Sequence, residues 1–229
     1  MTSRAEAVRP ALRCVIVMDS SSFQSTPPPN LLLVVSGSSG AGKDTVIDRI
    51  KELQIPVAHV VTVTTRAQRA SEVDGVHYHF VSKERFHRMV ESGEMLEWAH
   101  VYENYYGVPL FAVRNALMTG RDVVVKVDVQ GAATIRERVP GAVLLFIRPP
   151  SLEELERRLR SRRSESCAEV EVRLGKAIHE YERLAIFDYV LTNHPDRLDD
   201  VVEQVKAIIV AEKLRVIPRR VELNDPAHP

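Results

Sequence analysis

The feature that most constrains this chain is a glycine-rich loop just after an apolar run. Residues Leu31 to Val35 are all apolar, which is typical of a strand buried on both faces of a parallel sheet. The sequence Gly-Ser-Ser-Gly-Ala-Gly-Lys follows at 37–43. Glycines let the backbone turn so that successive N–H groups and the next helix N-terminus point at phosphate oxygens. An unliganded glycine turn is the alternative, but a strand, three glycines and a lysine in one register favour a phosphate-binding loop.

The loop predicts the donor-nucleotide site. Lys43 carries a mobile positive charge toward the β- and γ-phosphates. The next position normally holds a Ser or Thr that binds Mg²⁺, whereas this chain has Asp44 followed by Thr45. Asp44 either complements the helix dipole or holds the Mg²⁺ that accompanies ATP, and Thr45 is the other candidate ligand. The predicted ATP-binding residues here are Gly37, Ser38, Ser39, Gly40, Ala41, Gly42, Lys43, Asp44 and Thr45.

Apolar runs and helical patterns alternate along the rest of the chain. Further strands are predicted at 57–64, 123–129, 142–147 and 189–192, and helices at 109–120, 151–162 and 169–186. This alternation predicts an α/β fold in which helices sandwich a mainly parallel sheet, as in P-loop NTPases. Residues 66–108 break the rhythm with short strands at 78–81 and 95–101 around a helix. They are predicted to form an inserted lobe.

Composition excludes several functional classes. The 31 basic and 31 acidic residues cancel, so no global field attracts nucleic acid or a membrane surface. No stretch approaches the roughly 18 apolar residues of a membrane span. The two cysteines, Cys14 and Cys167, are far apart and lack metal-ligand spacing, which fits a reducing compartment. We expect a cytoplasmic protein with no nucleic-acid or membrane partner, and the sequence leaves homo-oligomer formation open.

Both ends of the chain differ in composition from its centre. Residues 1–29 end in a Ser/Pro-rich stretch that cannot bury enough apolar surface to offset its ordering entropy. They are predicted to be a disordered tail, and a true translation start at Met18 is an open alternative. One domain is predicted at 30–212, with a C-terminal tail at 213–229.

A second anion site is predicted just past the second buried strand, where open α/β sheets place ligands. Arg66 and Arg69 lie three residues apart on that loop and are suited to grip one phosphate. Further on, Glu97 adjoins Trp98, and Tyr106 follows in the same lobe. A carboxylate among aromatic rings suits a purine base. Each of these residues alone is more simply explained by solvation or packing; their clustering makes the two interpretations about equally strong.

Arginines crowd the predicted helix at 151–162, and Arg173 lies on the next helix. Arg158 and Arg162 are four residues apart and therefore share a face. A solvated surface balanced by neighbouring glutamates is the simpler explanation. Phosphoryl transfer, however, depends on charge neutralisation, and one placed arginine contributes on the order of 10³–10⁵ in rate. In a chain with a phosphate loop, a mobile arginine lid at 152–175 becomes the favoured interpretation.

From about residue 30 to 212 the sequence resembles the guanylate kinase family. The resemblance is specific because many ordered segments carry it independently of the phosphate loop. The matching segments are Gly37 to Thr45, Thr64 to Arg69, Glu72 to Gly75, Gly93 to Ala99, Asn104 to Gly107, Val127 to Gly131, Pro149 to Glu153 and Phe187 to Val190.

The resemblance implies in-line transfer of the γ-phosphate of ATP to GMP or dGMP, within a P-loop fold that has a GMP-binding lobe and a helical lid. Its implied GMP-phosphate ligands are Arg66, Arg69, Tyr78 and Tyr106. Glu97 would accept hydrogen bonds from guanine, helped by Thr62 and Asp128. Asn193 would lie near adenine. The implied catalytic residues are Lys43, Arg66, Arg158, Arg162 and Arg173, the last three as a clamp on the transferring phosphoryl group.

Three positions depart from that family's pattern. Val108 replaces a Ser or Thr hydroxyl that contacts guanine, at a cost of about 0.5–1.5 kcal/mol if one hydrogen bond is lost. Lys126 replaces a common acidic residue two before Asp128. Arg163 replaces a glycine in the lid.

Two other functions are open alternatives. The first is the related kinase of ribose 1,5-bisphosphate, whose phosphate loop often has an Asp after the lysine, as Asp44 is here. The second is a non-catalytic binding module, a role that the same fold has in scaffold proteins. The Glu97-Trp98 segment favours a guanine acceptor over the first alternative. Lys43 and the lid arginines favour an enzyme over the second.

Overall fold

The computed structural model describes residues 27–70, 72–101, 103–161 and 167–223. Nine strands, seven α-helices and one 3-10 helix (Leu184–Ile186) follow one another in these ranges. The strands are β1 (Leu32–Gly37), β2 (Val57–His59), β3 (Thr62–Thr64), β4 (Tyr78–Phe80), β5 (Met95–Val101), β6 (Asn104–Pro109), β7 (Asp122–Lys126), β8 (Val143–Arg148) and β9 (Tyr189–Thr192). The helices are α1 (Lys43–Glu52), α2 (Lys83–Glu91), α3 (Leu110–Met118), α4 (Val129–Arg138), α5 (Leu152–Arg160), α6 (Cys167–Glu182) and α7 (Leu198–Lys213).

The central sheet is parallel, with the order β2-β7-β1-β8-β9. All six residues of β1 are buried because helices cover both faces. On one face α1 and α7 enclose an apolar cluster, and on the other α3 and α4 enclose a second. The predicted α/β sandwich is confirmed. At the centre of this sheet, the carboxyl ends of β1 and β7 lie side by side.

The inserted lobe has its own sheet, with the order β4-β3-β6-β5. The prediction of one strand at 57–64 was wrong, since the chain changes sheets there. β2 pairs with β7 of the central sheet, whereas β3 pairs with β4 and β6 of the lobe. The predicted strand at 123–129 also ends earlier, at Lys126, because Asp128 caps α4 by accepting a hydrogen bond from the Gly131 N–H at 2.9 Å.

After α7 the chain is exposed over 214–218 and returns to the domain at Arg219, Val221 and Leu223. Arg219 bonds Glu212 at 2.8 Å and Asp188 at 3.0 Å. Tyr189 also donates a hydrogen bond to the buried Glu212, at 2.7 Å. Leu223 contacts the apolar cluster beneath α3 and α4. These contacts fall within the predicted C-terminal tail, 213–229, whereas residues 1–26 of the predicted N-terminal tail lie outside the described ranges. Within those ranges, no helix has the length and apolar character needed to cross a membrane.

Candidate active site

A cavity of about 620 Å³ lies between the ends of β1 and β7, the lobe and α6. This is the crevice at the carboxyl edge of the sheet where α/β folds bind ligands. Most of the residues predicted from sequence meet there. Those that line the cavity are Gly37, Ser39, Gly40, Gly42, Lys43, Asp44, Thr45, Thr62, Arg66, Arg69, Tyr78, Glu97, Tyr106, Asp128 and Arg173.

The phosphate loop is tightly packed against its surroundings. Gly42 has a φ of 93°, and a Cβ there would lie 2.3 Å from Asn193 Nδ2. Glycine is therefore required on both conformational and steric grounds. The Lys43 ammonium donates to the carbonyls of Gly37 at 2.6 Å and Ser38 at 3.0 Å. Burial lowers the pKa of Lys43, although Glu180 and Asp44 act in the opposite direction.

Two predicted arginines are organised by Glu72. One oxygen of this carboxylate contacts the Arg66 guanidinium at 2.7 Å, and the other accepts the backbone N–H of Arg69 at 2.9 Å. Burial opposes its ionisation, but the two arginine contacts hold the pKa of Glu72 below its usual range. Arg66 also lies 5.6 Å from the centroid of the Tyr78 ring, which lies 6.0 Å from that of Tyr106. These side chains form a preorganised cationic corner.

Glu97 lies deep in the same cavity. It is 3% exposed, and its Oε2 has no hydrogen-bond partner among the described residues. Burial, reinforced by repulsion from Asp128 and opposed by Arg138, raises the pKa of Glu97 to about 8. Thr62 is also buried on the cavity wall. A buried acceptor without a partner is costly, so this carboxylate is suited to a ligand that brings its own N–H donors.

The aromatic residues divide between the cavity and the lobe core. Tyr78 and Tyr106 line the cavity. Tyr105 stacks on Phe86 with the centroids 5.5 Å apart. Trp98 is 43% exposed and does not line the cavity, because successive residues of a strand point to opposite faces. The sequence-based idea that its ring joins Glu97 around a purine was wrong.

Two predicted residues contact the phosphate loop from outside the cavity lining. Arg158 donates to the carbonyl oxygens of Ala41 at 3.2 Å and Asn193 at 2.9 Å. The Asn193 amide also donates to Ala41, at 3.0 Å. Ser38 is buried, as is Ala41. Arg162 and Arg163 lie outside the described residues.

Helix α6 contributes the predicted Arg173 together with Lys176 and Glu180, two residues that the sequence analysis did not single out. Arg173 donates to the Ser39 hydroxyl at 3.4 Å. Lys176 lies 4.0 Å from both Asp128 and Glu180, and both Lys176 and Glu180 line the cavity. Burial raises the pKa of Glu180, against the attraction of Lys43. The spacing 173, 176 and 180 places the three on one helical face, a signal that was available in the sequence.

The three departures from the family pattern have different outcomes. Val108 is fully buried in the apolar cluster with Leu96 and Leu110 and does not line the cavity, whereas its neighbour Gly107 does. Lys126 and Asp44 line the cavity and form an ion pair with each other. Arg163 lies outside the described ranges.

A glycine loop lies between a buried strand and a helix and faces an arginine pair across one cavity. This is the arrangement of a P-loop phosphotransferase. The guanylate kinase family model matches residues 30–212. This is the span over which the sequence itself showed the resemblance. The chain therefore belongs to the guanylate kinase family.

Individual relatives agree with this assignment. The chain is 42% identical to a guanylate kinase of Desulfitobacterium hafniense over 81% of its length and 92% of the relative. It is 45% identical to one from Caldanaerobacter subterraneus, over 81% and 89%. A crystal structure of guanylate kinase from Anaplasma phagocytophilum is similar at a TM-score of 0.67 and 31% identity, covering 83% of this chain and 89% of that one.

Proposed function

We propose that this protein transfers the γ-phosphate of ATP to GMP or dGMP, giving ADP and GDP or dGDP. The observation that carries the proposal is the buried Glu97 carboxylate, which shares one cavity with the phosphate loop and the arginine pair. The Watson–Crick edge of guanine offers adjacent N–H donors, whereas adenine presents an acceptor at the corresponding ring nitrogen. An acceptor oxygen in a buried site thus favours guanine over adenine.

The acceptor phosphate would be held by Arg66, Arg69, Tyr78 and Tyr106. Thr62 and Asp128 would assist Glu97 at the base. In this arrangement Glu72 serves the phosphate site by fixing both arginines, since it bonds one guanidinium and the other's backbone. Preorganisation of this kind lowers the entropic cost of binding.

The donor phosphates would be held by the loop amides and by Lys43, whose ammonium exchanges two loop carbonyls for phosphate oxygens. Arg173 on α6 contacts the Ser39 hydroxyl of the phosphate loop. It would neutralise charge on the transferring group together with Arg158 and Arg162. Asn193 would lie near adenine. No general base is required, because the acceptor phosphate is itself a nucleophile near neutral pH, with a second pKa of about 6.

The donor set at the start of α1 fits Mg²⁺. Asp44 and Thr45 both line the cavity and supply a carboxylate and a hydroxyl oxygen, and Mg²⁺ is typically held by one or two such ligands with phosphates and water. No cluster of three or more His, Cys, Asp or Glu side chains suited to a metal occurs in the described ranges. Asp44 or Thr45 would hold the ion, which supplies charge neutralisation to the phosphates.

The alternatives gain no support from the relatives. A ribose 1,5-bisphosphate acceptor has no purine for Glu97 to bind, and a non-catalytic module has no use for Lys43 and Arg173 at the loop. Water exclusion by a closing lid at 152–175, a cytoplasmic location and the absence of nucleic-acid and membrane partners stay predictions of the sequence. Oligomeric state stays open.

Steady-state kinetics of Glu97→Gln test the proposal. Losing one ionic acceptor should reduce kcat/KM for GMP at least tenfold while leaving the KM for ATP within about twofold. Glu94→Gln is the matched control, because Glu94 is exposed, lies outside the cavity lining, and its side chain accepts a hydrogen bond from the Ser92 hydroxyl. An unchanged kcat/KM for GMP in Glu97→Gln would contradict the proposal.

A further inference from the structure

The two cavity positions at which this chain departs from the family pattern contact each other. Asp44 stands in the first turn of α1, where a Ser or Thr is usual, and Lys126 ends β7, where an acid is common. They are 82 residues apart in sequence, and the Lys126 ammonium donates a hydrogen bond to Asp44 Oδ1. The parallel register of β1 and β7, which sets Val35 beside Lys126, brings them together.

Asp44 by itself is unfavourable for a phosphate loop. It directly follows Lys43, lines the same cavity, and has a side chain that is 69% exposed. The loop amides and the α1 N-terminus attract phosphate, whereas a carboxylate at this place repels it. One uncompensated charge about 10 Å from a phosphate, at an effective dielectric constant of about 20, weakens binding on the order of tenfold.

Lys126 is held where it can cancel that charge. Its side chain is 15% exposed, and its ammonium lies 4.3 Å from the centroid of the Tyr78 ring. The Asp44 carboxylate that accepts its hydrogen bond favours the charged form of this lysine. Lys126 is thus a cation held in place at neutral pH. It stands between the phosphate loop and Tyr78 of the acceptor corner.

We propose that Lys126 is a positioning residue whose charge cancels that of Asp44 and so allows this loop to bind a polyphosphate. The identity of that polyphosphate, ATP, rests on the proposed function. The two departures from the family pattern then depend on each other: the acidic residue is Asp44 at the start of α1, and the basic residue is Lys126 at the end of β7. Neither residue alone is a neutral substitution in this chain.

A charge-cancellation cycle tests the proposal. The dissociation constant of ADP is measured by calorimetry in EDTA, without divalent metal, for the wild type, Asp44→Ser, Lys126→Met and the double variant. Lys126→Met should bind ADP about tenfold more weakly, and Asp44→Ser at least as tightly as the wild type. The double variant should return to within about twofold of the wild type, because both charges are then absent.

Three outcomes would overturn the proposal. A double variant as weak as Lys126→Met would make Lys126 a direct phosphate ligand that acts independently of Asp44. Unchanged binding in Lys126→Met would show that Asp44 needs no counter-charge. Lys126→Arg keeps the charge and should stay within about threefold of the wild type; a loss as large as that of Lys126→Met would also contradict charge cancellation.

The ion pair between Lys51 and Asp48, 3.8 Å apart farther along α1, supplies the matched control. Lys51→Met removes the same charge near the far end of α1, outside the cavity lining, and should alter ADP binding less than about twofold. Circular dichroism melting of each variant separates loss of fold from loss of binding, and Lys126→Arg keeps the test informative if Lys126→Met melts early.

Because ADP binding does not depend on the acceptor, a failure of GMP phosphorylation would refute the proposed function and leave this cycle interpretable.

Discussion

GMP binding should depend on pH through Glu97. Because burial and Asp128 raise the pKa of this carboxyl to about 8, only about one tenth of it is ionised at pH 7 in the empty cavity. Guanine N–H donors bind the ionised form, so binding at pH 7 first costs about 1.4 kcal/mol to release the proton. That cost disappears as pH rises through the pKa of the empty protein.

Calorimetry of GMP binding between pH 7 and 9 measures this effect. The affinity should rise about fivefold from pH 7 to 8, reach about tenfold by pH 9 and be nearly constant above that. At pH 7, buffers of different ionisation enthalpy should report close to one proton released per GMP bound. The GMP phosphate, with a second pKa of about 6, contributes little in this range.

Glu97→Gln is the control for that profile, since it removes the titrating group and keeps the shape. Its GMP affinity should be lower and nearly independent of pH from 7 to 9. A wild-type affinity that is flat over this range, or a slope that persists in Glu97→Gln, would refute the assignment of Glu97 as the buried acceptor for guanine.

Three further predictions concern residues around the cavity. Gly131→Ala would place a Cβ 2.5 Å from Glu97 Oε2 and so displace the buried carboxylate, which should raise the KM for GMP at least tenfold in a protein that circular dichroism shows to be folded; an unchanged KM would contradict this packing. Glu72→Gln removes the ionic partner of Arg66 and should raise the KM for GMP about tenfold with the KM for ATP unchanged; equal rises would refute its acceptor-side role. Lys43→Ala should lower kcat at least 10³-fold in a coupled ADP-release assay, and a smaller loss would remove Lys43 from the transfer step.

The donor half of the site could be predicted from sequence because its signals are local. An apolar strand, glycines and a lysine within 13 residues specify β1, the loop and the start of α1, and the structure has them there. Arg66, Arg69, Glu97 and Tyr106 were singled out by their clustering in the lobe. Thr62, Tyr78 and Asp128 came from the resemblance, which the family match confirms. Their roles stay predictions.

Long-range pairing explains what could not be predicted. The apolar run 57–64 looks like one strand, since hydrophobicity does not reveal that β2 and β3 pair with different sheets. Alternation places Glu97 and Trp98 on opposite faces but does not say which face is the cavity. The contact of Asp44 with Lys126 depends on the register of β1 and β7, so sequence alone showed two unrelated anomalies.

The most direct test of the central claim is transfer of label from ATP labelled at the γ-phosphate, with GMP, dGMP, AMP and ribose 1,5-bisphosphate offered as separate acceptors. We predict labelled GDP and dGDP, with little or no product from AMP or the ribose bisphosphate. Transfer to ribose 1,5-bisphosphate with silence toward GMP, or no transfer to any acceptor, would contradict the account.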